Sequence, residues 1–598
     1  MACIKIFLLI CSVLNIGAFA EVNDTQLPLV VTRYGSVLGS LMTSRNGSLF
    51  SAFRGIPFAK PPVGELRFKA PEEPEPWTYI FNATSDSNIC IQQNYFFSKD
   101  PQIEGSEDCL YLNVYTPSIT RNLLPVMVAF HYGGFMSGSS ASDLLGPEYL
   151  MDKDVVLVTF NYRLGIFGFL STYDDAAPGN WAFKDQVAAL KWVRDNIEDF
   201  GGNPDCVTIF GASAGAASIH HQILSNQSKN LFHAAITQSG SALALWAQPI
   251  RELALQVARA QAIAVGCNDT VTTDMVDCLR EIPAYDLVDS MNSFRYMRSE
   301  PLTLYIPTIE FETKSNPNPF ITQDPMEIIT NKEFSNVPWI IGITSGEGIV
   351  RAAPFVRQTD LLDIINENFE DYFPKMLSLE LSVADGNISS TWASIKEFYL
   401  LDNDEINVTN PESIQGLINL YSDRGFFYPA YQTSLIHKHN GHENVWFYYF
   451  DYRGNPSYGE LFAATDNQVP FQWGVSHCDD LLYLFKSEQI FPNTSLNGSD
   501  LEMSNLMLNF FTNFATYLDP TPQTLFDNQH RWEPLLSTVG HAVMQNNDLR
   551  YLKITGTYNA SNIGSIQLNM SEVFHPDRMK FWIDLPLEEN IQNLTSTL

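Results

Sequence analysis

The sequence predicts an α/β fold, a mostly parallel central sheet flanked by helices, and three observations point to it. Short apolar runs recur at Pro125 to Phe130, Val155 to Tyr162, Val207 to Phe210, Ala234 to Gln238, Val337 to Ile343 and Val445 to Phe450. Strands covered by helices on both faces need such continuous apolar runs. Segments with helical spacing lie between them, and strands alternating with helices assemble into a parallel sheet. No internal repeat or disordered linker interrupts the 598 residues, so one large domain over residues 21–598 is expected.

Met1 to Ala20 reads as a secretory leader. Lys5 supplies the positive start, Ile6 to Ile16 the apolar stretch, and Ala18-Phe19-Ala20 a small-x-small cleavage site. No later segment is long and apolar enough to span a bilayer. A secreted, extracellular protein is therefore expected, with glycosylation sequons at Asn23, Asn46, Asn82, Asn226, Asn268, Asn387, Asn407, Asn493, Asn497, Asn559, Asn569 and Asn593. A formal net charge of -32 excludes nucleic acid as a partner, because phosphate contacts need clustered Lys and Arg. The same charge favours a soluble chain that resists self-association, and leaves the oligomeric state open.

After the leader, Leu29 to Val37 and Gly39 to Leu41 read as a small hairpin, and Phe53 to Phe68, rich in Pro and Gly, as an extended loop. Six cysteines remain in the mature chain. Cys90 with Cys109 and Cys267 with Cys278 close short loops, as suits an oxidising compartment, although spacing alone leaves other pairings open. Cys206 starts a buried strand and reads as a core thiol; Cys478 is either a reactive or a structural thiol. The strand Pro125 to Phe130 runs into His131-Tyr132-Gly133-Gly134, where glycines let backbone N–H groups point into a site. Phe183 to Phe200 has helical spacing and stops at Gly201-Gly202-Asn203-Pro204.

The chemistry centres on Gly211-Ala212-Ser213-Ala214-Gly215, between the strand Val207 to Phe210 and a helix. In a G-x-S-x-G elbow the serine sits in a strained turn at a helix N-terminus, where the helix dipole favours developing negative charge. Serine is a weak nucleophile without a base and an acid to orient that base. Glu347 and His477 follow Ser213 in the chain, each on a loop past a predicted strand. Nucleophile, acid, histidine is the chain order of the α/β-hydrolases. No metal or cofactor motif accompanies them; His220 and His221 lack acidic or cysteine partners at ligand spacing and read as packing or capping residues.

The chain resembles the type-B carboxylesterase and cholinesterase family, most of all the secreted insect carboxylesterases. The matching runs are Phe53 to Phe68, Glu107 to Tyr115, Asn161 to Phe169, Gly179-Asn180, Lys184 to Val193, Phe200 to Gly215, Gln238 to Ser241, Ser422 to Arg424 and Gly474 to Phe485. The resemblance implies a serine esterase that acts on a small-molecule ester through an acyl-enzyme. Ser213 would be the nucleophile, His477 the base and then acid, and Glu347 the orienting carboxylate. The backbone N–H groups of Gly133, Gly134 and Ala214 would form the oxyanion hole. It also implies disulfides Cys90–Cys109 and Cys267–Cys278, and ion pairs Arg54–Glu107 and Arg163–Asp185.

Three departures stand out. The resembled family carries Glu where Ala212 stands and a third glycine where Tyr132 stands; a Tyr132 directed into the site would narrow it. Cholinesterases hold choline against a tryptophan in the first disulfide loop, whereas Ile91 to Asp108 contains Tyr95, Phe96 and Phe97 but no Trp. This argues against acetylcholine and leaves those aromatics available to line an apolar pocket. A narrower alternative is the juvenile hormone esterases, which Gly474 to Phe485 also resembles, though they carry Gln where Ala212 stands. A third is the non-catalytic adhesion branch, whose members lack the serine or histidine.

Overall fold

The apolar runs form the middle of an eleven-stranded sheet. The computed structural model describes residues 27–590 apart from 98–100, 120–122, 297–299, 302, 358, 402, 404, 464–470, 524, 526–530, 536–547 and 560–565. The expected leader, Asn23 and Asn593 lie outside the described residues; the other ten sequon asparagines are all exposed.

The strands are β1 (Ser40–Thr43), β2 (Leu49–Pro57), β3 (Tyr111–Thr116), β4 (Leu124–Phe130), β5 (Val156–Phe160), β6 (Gly202–Ala212), β7 (Ala234–Gln238), β8 (Trp339–Thr344), β9 (Val445–Arg453), β10 (Asp548–Thr557) and β11 (Gln567–Val573). Their order across the sheet is β11-β10-β9-β8-β7-β6-β4-β5-β3-β2-β1. Every pairing from β10 to β5 is parallel, and the flanking strands β11, β3, β2 and β1 pair antiparallel. Every residue of β5, β7 and β8 is buried, in keeping with their largely apolar composition. Helices Trp181–Asn196, Ala214–Leu224, Tyr428–His439 and Gly498–Tyr517 pack against this sheet. This is an α/β-hydrolase architecture.

Three sequence expectations change. Residues 53–57 belong to β2 rather than to a loop, because Phe53 and Ile56 are fully buried against Val114 and Leu112 of β3. The register slips between those two pairs, and Pro57, which has no N–H for the ladder, ends the strand. Strand β11 escapes the apolar-run criterion because it is the largely exposed, polar edge of the sheet. Strand β10, paired on both sides, escapes it because Arg550, Lys553 and Thr555 interrupt its buried Leu549, Leu552 and Ile554. Finally, Arg54 does not pair with Glu107. Arg54 meets Asp86 at 2.9 Å and donates to the Thr84 carbonyl, while Glu107 takes both prongs of the Arg67 guanidinium. Arg163 and Asp185 do pair, at 2.7 Å and fully buried. Disulfides join Cys90 to Cys109 and Cys267 to Cys278.

Candidate active site

The turn after β6 is shaped by one carbonyl. A Cβ at Gly211 would lie 2.4 Å from the Phe130 carbonyl oxygen of β4, and one at Gly215 would lie 2.2 Å from the same atom. Only glycine at both positions lets strand and helix pass so close to the neighbouring strand. Ser213 sits between them at φ 55 and ψ -123, a sparsely populated conformation for a residue with a Cβ. Its N–H donates to the Gln238 carbonyl at 2.8 Å, which holds the strained turn against β7.

Glu347 follows β8 and is fully buried. One carboxylate oxygen accepts the Thr344 N–H at 2.7 Å and the Ser239 hydroxyl; the other lies 2.5 Å from Nδ1 of His477. Both oxygens are thus committed, and the contact at Nδ1 fixes the orientation of the imidazole. The His477 ring also packs at 4.7 Å against Phe426. Its loop is anchored by Asp479, whose carboxylate accepts from the Ser476 N–H, the Ser457 hydroxyl and the Tyr458 N–H at 2.7 to 2.8 Å. Burial nevertheless pushes the Asp479 carboxyl up to about 7.

Ser213 and His477 line the same space. Among the described residues no hydrogen bond joins them, and such bonds are often drawn tight only when substrate is present. Two chambers meet at this pair. The larger, about 430 Å³, is walled by Phe96, Phe97, Tyr132, Tyr458 and Phe462. The smaller, about 240 Å³, is walled by Leu245, Trp246, Leu253, Leu304, Ile306 and Phe426. The cations on the second wall are already matched: Arg351 pairs with Glu300, Lys375 with Asp371 and Arg424 with Glu589. That chamber therefore presents mainly hydrocarbon to its contents.

Gly133 and Gly134 also reach this space, one in each chamber's wall, at φ 124 and φ 61. Among the described residues none of the N–H groups of Gly133, Gly134 and Ala214 donates to a protein acceptor. Ala214 is the first residue of its helix, so its N–H has no intrahelical partner. His131 lies outside the chamber walls: it stacks on Tyr162 at 4.0 Å, and burial depresses its pKa to about 4. Tyr132 does face the larger chamber, where its hydroxyl meets that of Tyr458 at 3.0 Å. Phe96 and Phe97 line the chambers as the sequence suggested, but Tyr95 turns away to Asn292 beneath the Arg295 guanidinium. Cys478 is buried beside His477, and burial raises its thiol pKa well above the ordinary value, which keeps it protonated. Cys206 is likewise buried.

His220 and His221 are buried in the helix behind Ser213 and belong to the packing, not to the chambers. Among the described residues no group of three or more His, Cys, Asp or Glu is arranged to hold a metal ion. No helix among them is long and apolar enough to cross a membrane. Sequence reasoning assigned no role to Gln238, Ser239, Phe426, Asp479 or Asp480. The first two fall in a recognisable Gln-Ser-Gly-Ser run, but only contacts across the fold reveal what they hold.

A model of the carboxylesterase family matches residues 26–582. Juvenile hormone esterase of Tribolium castaneum is 51% identical over 567 residues, covering 94% of each chain. Venom carboxylesterase-6 of Apis mellifera is 34% identical over 576 residues, covering 96% of each. The crystal structure of juvenile hormone esterase from Manduca sexta with OTFP covalently attached superposes with a TM-score of 0.80 at 29% identity, covering 94% of this chain and 99% of that one.

Proposed function

The chain belongs to the carboxylesterase family and is an ester hydrolase, and from that premise we propose that Ser213, His477 and Glu347 are its catalytic triad and an apolar ester its substrate. The observation that carries this reading is the meeting of Ser213, the Glu347-backed His477 and three uncommitted N–H groups at the junction of the two chambers.

In this mechanism the Ser213 hydroxyl attacks the ester carbonyl while His477 Nε2 takes its proton. Glu347 holds Nδ1–H and balances the imidazolium. The carbonyl electron pair moves onto oxygen, and the N–H groups of Gly133, Gly134 and Ala214 receive that charge. Each such donor is worth about 3 to 4 kcal/mol in the transition state. Collapse expels the alcohol, protonated by His477, and leaves the acyl group on Ser213. Water, deprotonated by the same imidazole, then releases the acid. The steps use these side chains, the three backbone donors and water.

The hydrocarbon wall of the smaller chamber supports an apolar chain on the substrate. The 51% identity to a protein named juvenile hormone esterase supports that hormone as the ester, ahead of a general carboxylesterase role. The leader, the exposed sequons and the two disulfides support secretion and glycosylation. One sheet drawing strands from residue 40 to residue 573 supports a single domain over 21–598.

The test is turnover of juvenile hormone and of a short-chain nitrophenyl ester by the purified protein beside Ser213→Ala. Parent activity lost in the variant is expected, with the hormone the better substrate. Hormone turnover equal to or below that of the aryl ester removes the hormone reading. No turnover of either ester, with no organophosphate labelling of Ser213, makes the site a binding pocket.

A further inference from the structure

One rung of the sheet runs Ala212, Gln238, Gly342, Tyr448 across β6, β7, β8 and β9. Small and long residues alternate along it. A Cβ at Gly342 would fall 1.9 Å from the Tyr448 ring, so glycine there lets that ring lie across β8. The Gln238 and Tyr448 side chains converge on one acceptor: Oδ2 of Asp480 takes Gln238 Nε2 at 2.8 Å and the Tyr448 hydroxyl at 2.5 Å. Asp480 is fully buried, three residues beyond His477, and its Oδ1 has no partner among the described residues. Position 212 contributes only a methyl group, so the rung's polar end is completed from the histidine loop.

Gln238 is also the residue whose carbonyl holds the Ser213 N–H, and its neighbour Ser239 donates to Glu347. The Gln238–Asp480 bond therefore braces the strand end behind nucleophile and acid against the loop that carries the base. We propose that Asp480 is a positioning residue for ester hydrolysis: through Gln238 it fixes the Ser213 turn against the His477 loop, and its carboxylate stabilises the imidazolium formed when Ser213 gives up its proton.

Asp480 acts as the ionised form, because Oδ2 accepts from two donors and a proton on Oδ1 would be a buried O–H with no acceptor. Burial works against that form and raises its pKa; Tyr448, Gln238 and the nearby His477 work for it, and Glu347 against it. Cys478 and Asp479 complete the titratable groups around it, both favoured in their neutral forms by burial.

The inference rests on the triad reading, so the test carries Ser213→Ala alongside. Asp480→Asn keeps shape and removes charge, whereas Asp480→Glu keeps charge. With Ser213→Ala inactive and the parent active, Asp480→Asn is expected to lower kcat about tenfold with KM nearly unchanged. The acid limb of its kcat/KM profile should move to lower pH by about half a unit to one unit, since the imidazolium has lost a neighbouring anion. Asp480→Glu should hold the limb at the parent position. Gln238→Met, which cuts the brace and takes one donor from the carboxylate, should lower kcat while moving the limb less than Asp480→Asn does, and it stands in if Asp480→Asn does not fold. Parent kcat and parent limb in Asp480→Asn overturn the proposal, as does parent kcat in Gln238→Met. An active Ser213→Ala overturns the triad reading instead.

Discussion

His477 and the trio His220, His437 and His442 are buried to nearly the same degree, 4% exposed against 0%, but their partners differ. His477 has a carboxylate on Nδ1 and faces open chambers. The trio has none. His442 Nε2–H donates to the Val337 carbonyl at 2.6 Å, which leaves its Nδ1 to accept from His437 Nδ1–H at 3.2 Å. His437 Nε2 then accepts from His220 Nε2–H at 3.0 Å, and His220 Nδ1 takes the Ala242 N–H at 3.0 Å. This one run of tautomers satisfies every ring nitrogen with three neutral imidazoles and leaves no acceptor for a further proton. Burial holds all three pKa values low, that of His442 at about 4. An imidazole becomes a base when a carboxylate waits for its charge; without one it is a polar brick.

Substitutions can break this contrast, and the largest effect is expected where the proton begins its journey. Ser213→Ala should lower kcat for an aryl ester by about 10⁵- to 10⁶-fold, measured after removing any trace of parent enzyme. Glu347→Gln tests the carboxylate itself. It preserves shape, withdraws the charge behind His477 and should lower kcat by about 10⁴-fold with the melting temperature little changed.

The trio should respond in the opposite sense. His437→Leu strands His220 Nε2 and His442 Nδ1 in the interior, at about 1 to 3 kcal/mol each. Thermal unfolding should register this while kcat per folded molecule stays near the parent value; a kcat loss at unchanged stability would assign the trio to the active site. The pH dependence sharpens the comparison with a smaller effect. His131, His221 and His442 have folded pKa values depressed from 6.5 to about 4, so the stability they confer is complete above pH 6.5 and is lost as pH falls toward 4. Asp479, raised to about 7, acts the other way: its contribution is complete below the ordinary carboxyl pKa and is lost as pH rises through 7. A melting-temperature scan should fall from pH 6.5 to 4, and His442→Gln should flatten that fall.

Much of this fold was legible locally. Unbroken apolar runs marked the buried parallel strands, and Gly211 and Gly215 marked a turn where no side chain fits. The positions of Ser213, Glu347 and His477 past strand ends were readable from chain order, and the three converge. Strands β10 and β11 were not readable: the exposed edge strand β11 has no apolar signature, and polar residues interrupt the buried ones of β10. Nor was the partner of Arg54: sequence offers several carboxylates, and only packing brings Asp86 to it and sends Glu107 to Arg67.

The sequence by itself determined the parallel α/β core and the strained serine turn, because sterics and hydrophobic periodicity act over a few neighbours. Tertiary structure alone decided how those residues are held. Glu347 and His477 are 130 positions apart, and Gln238 and Asp480 242 apart. Their hydrogen bonds depend on the register of β7, β8 and β9, on the glycine that lets Tyr448 cross β8, and on the loop that returns over the strand ends. The two chambers have the same origin, since walls drawn from distant segments exist only once the sheet has brought them together.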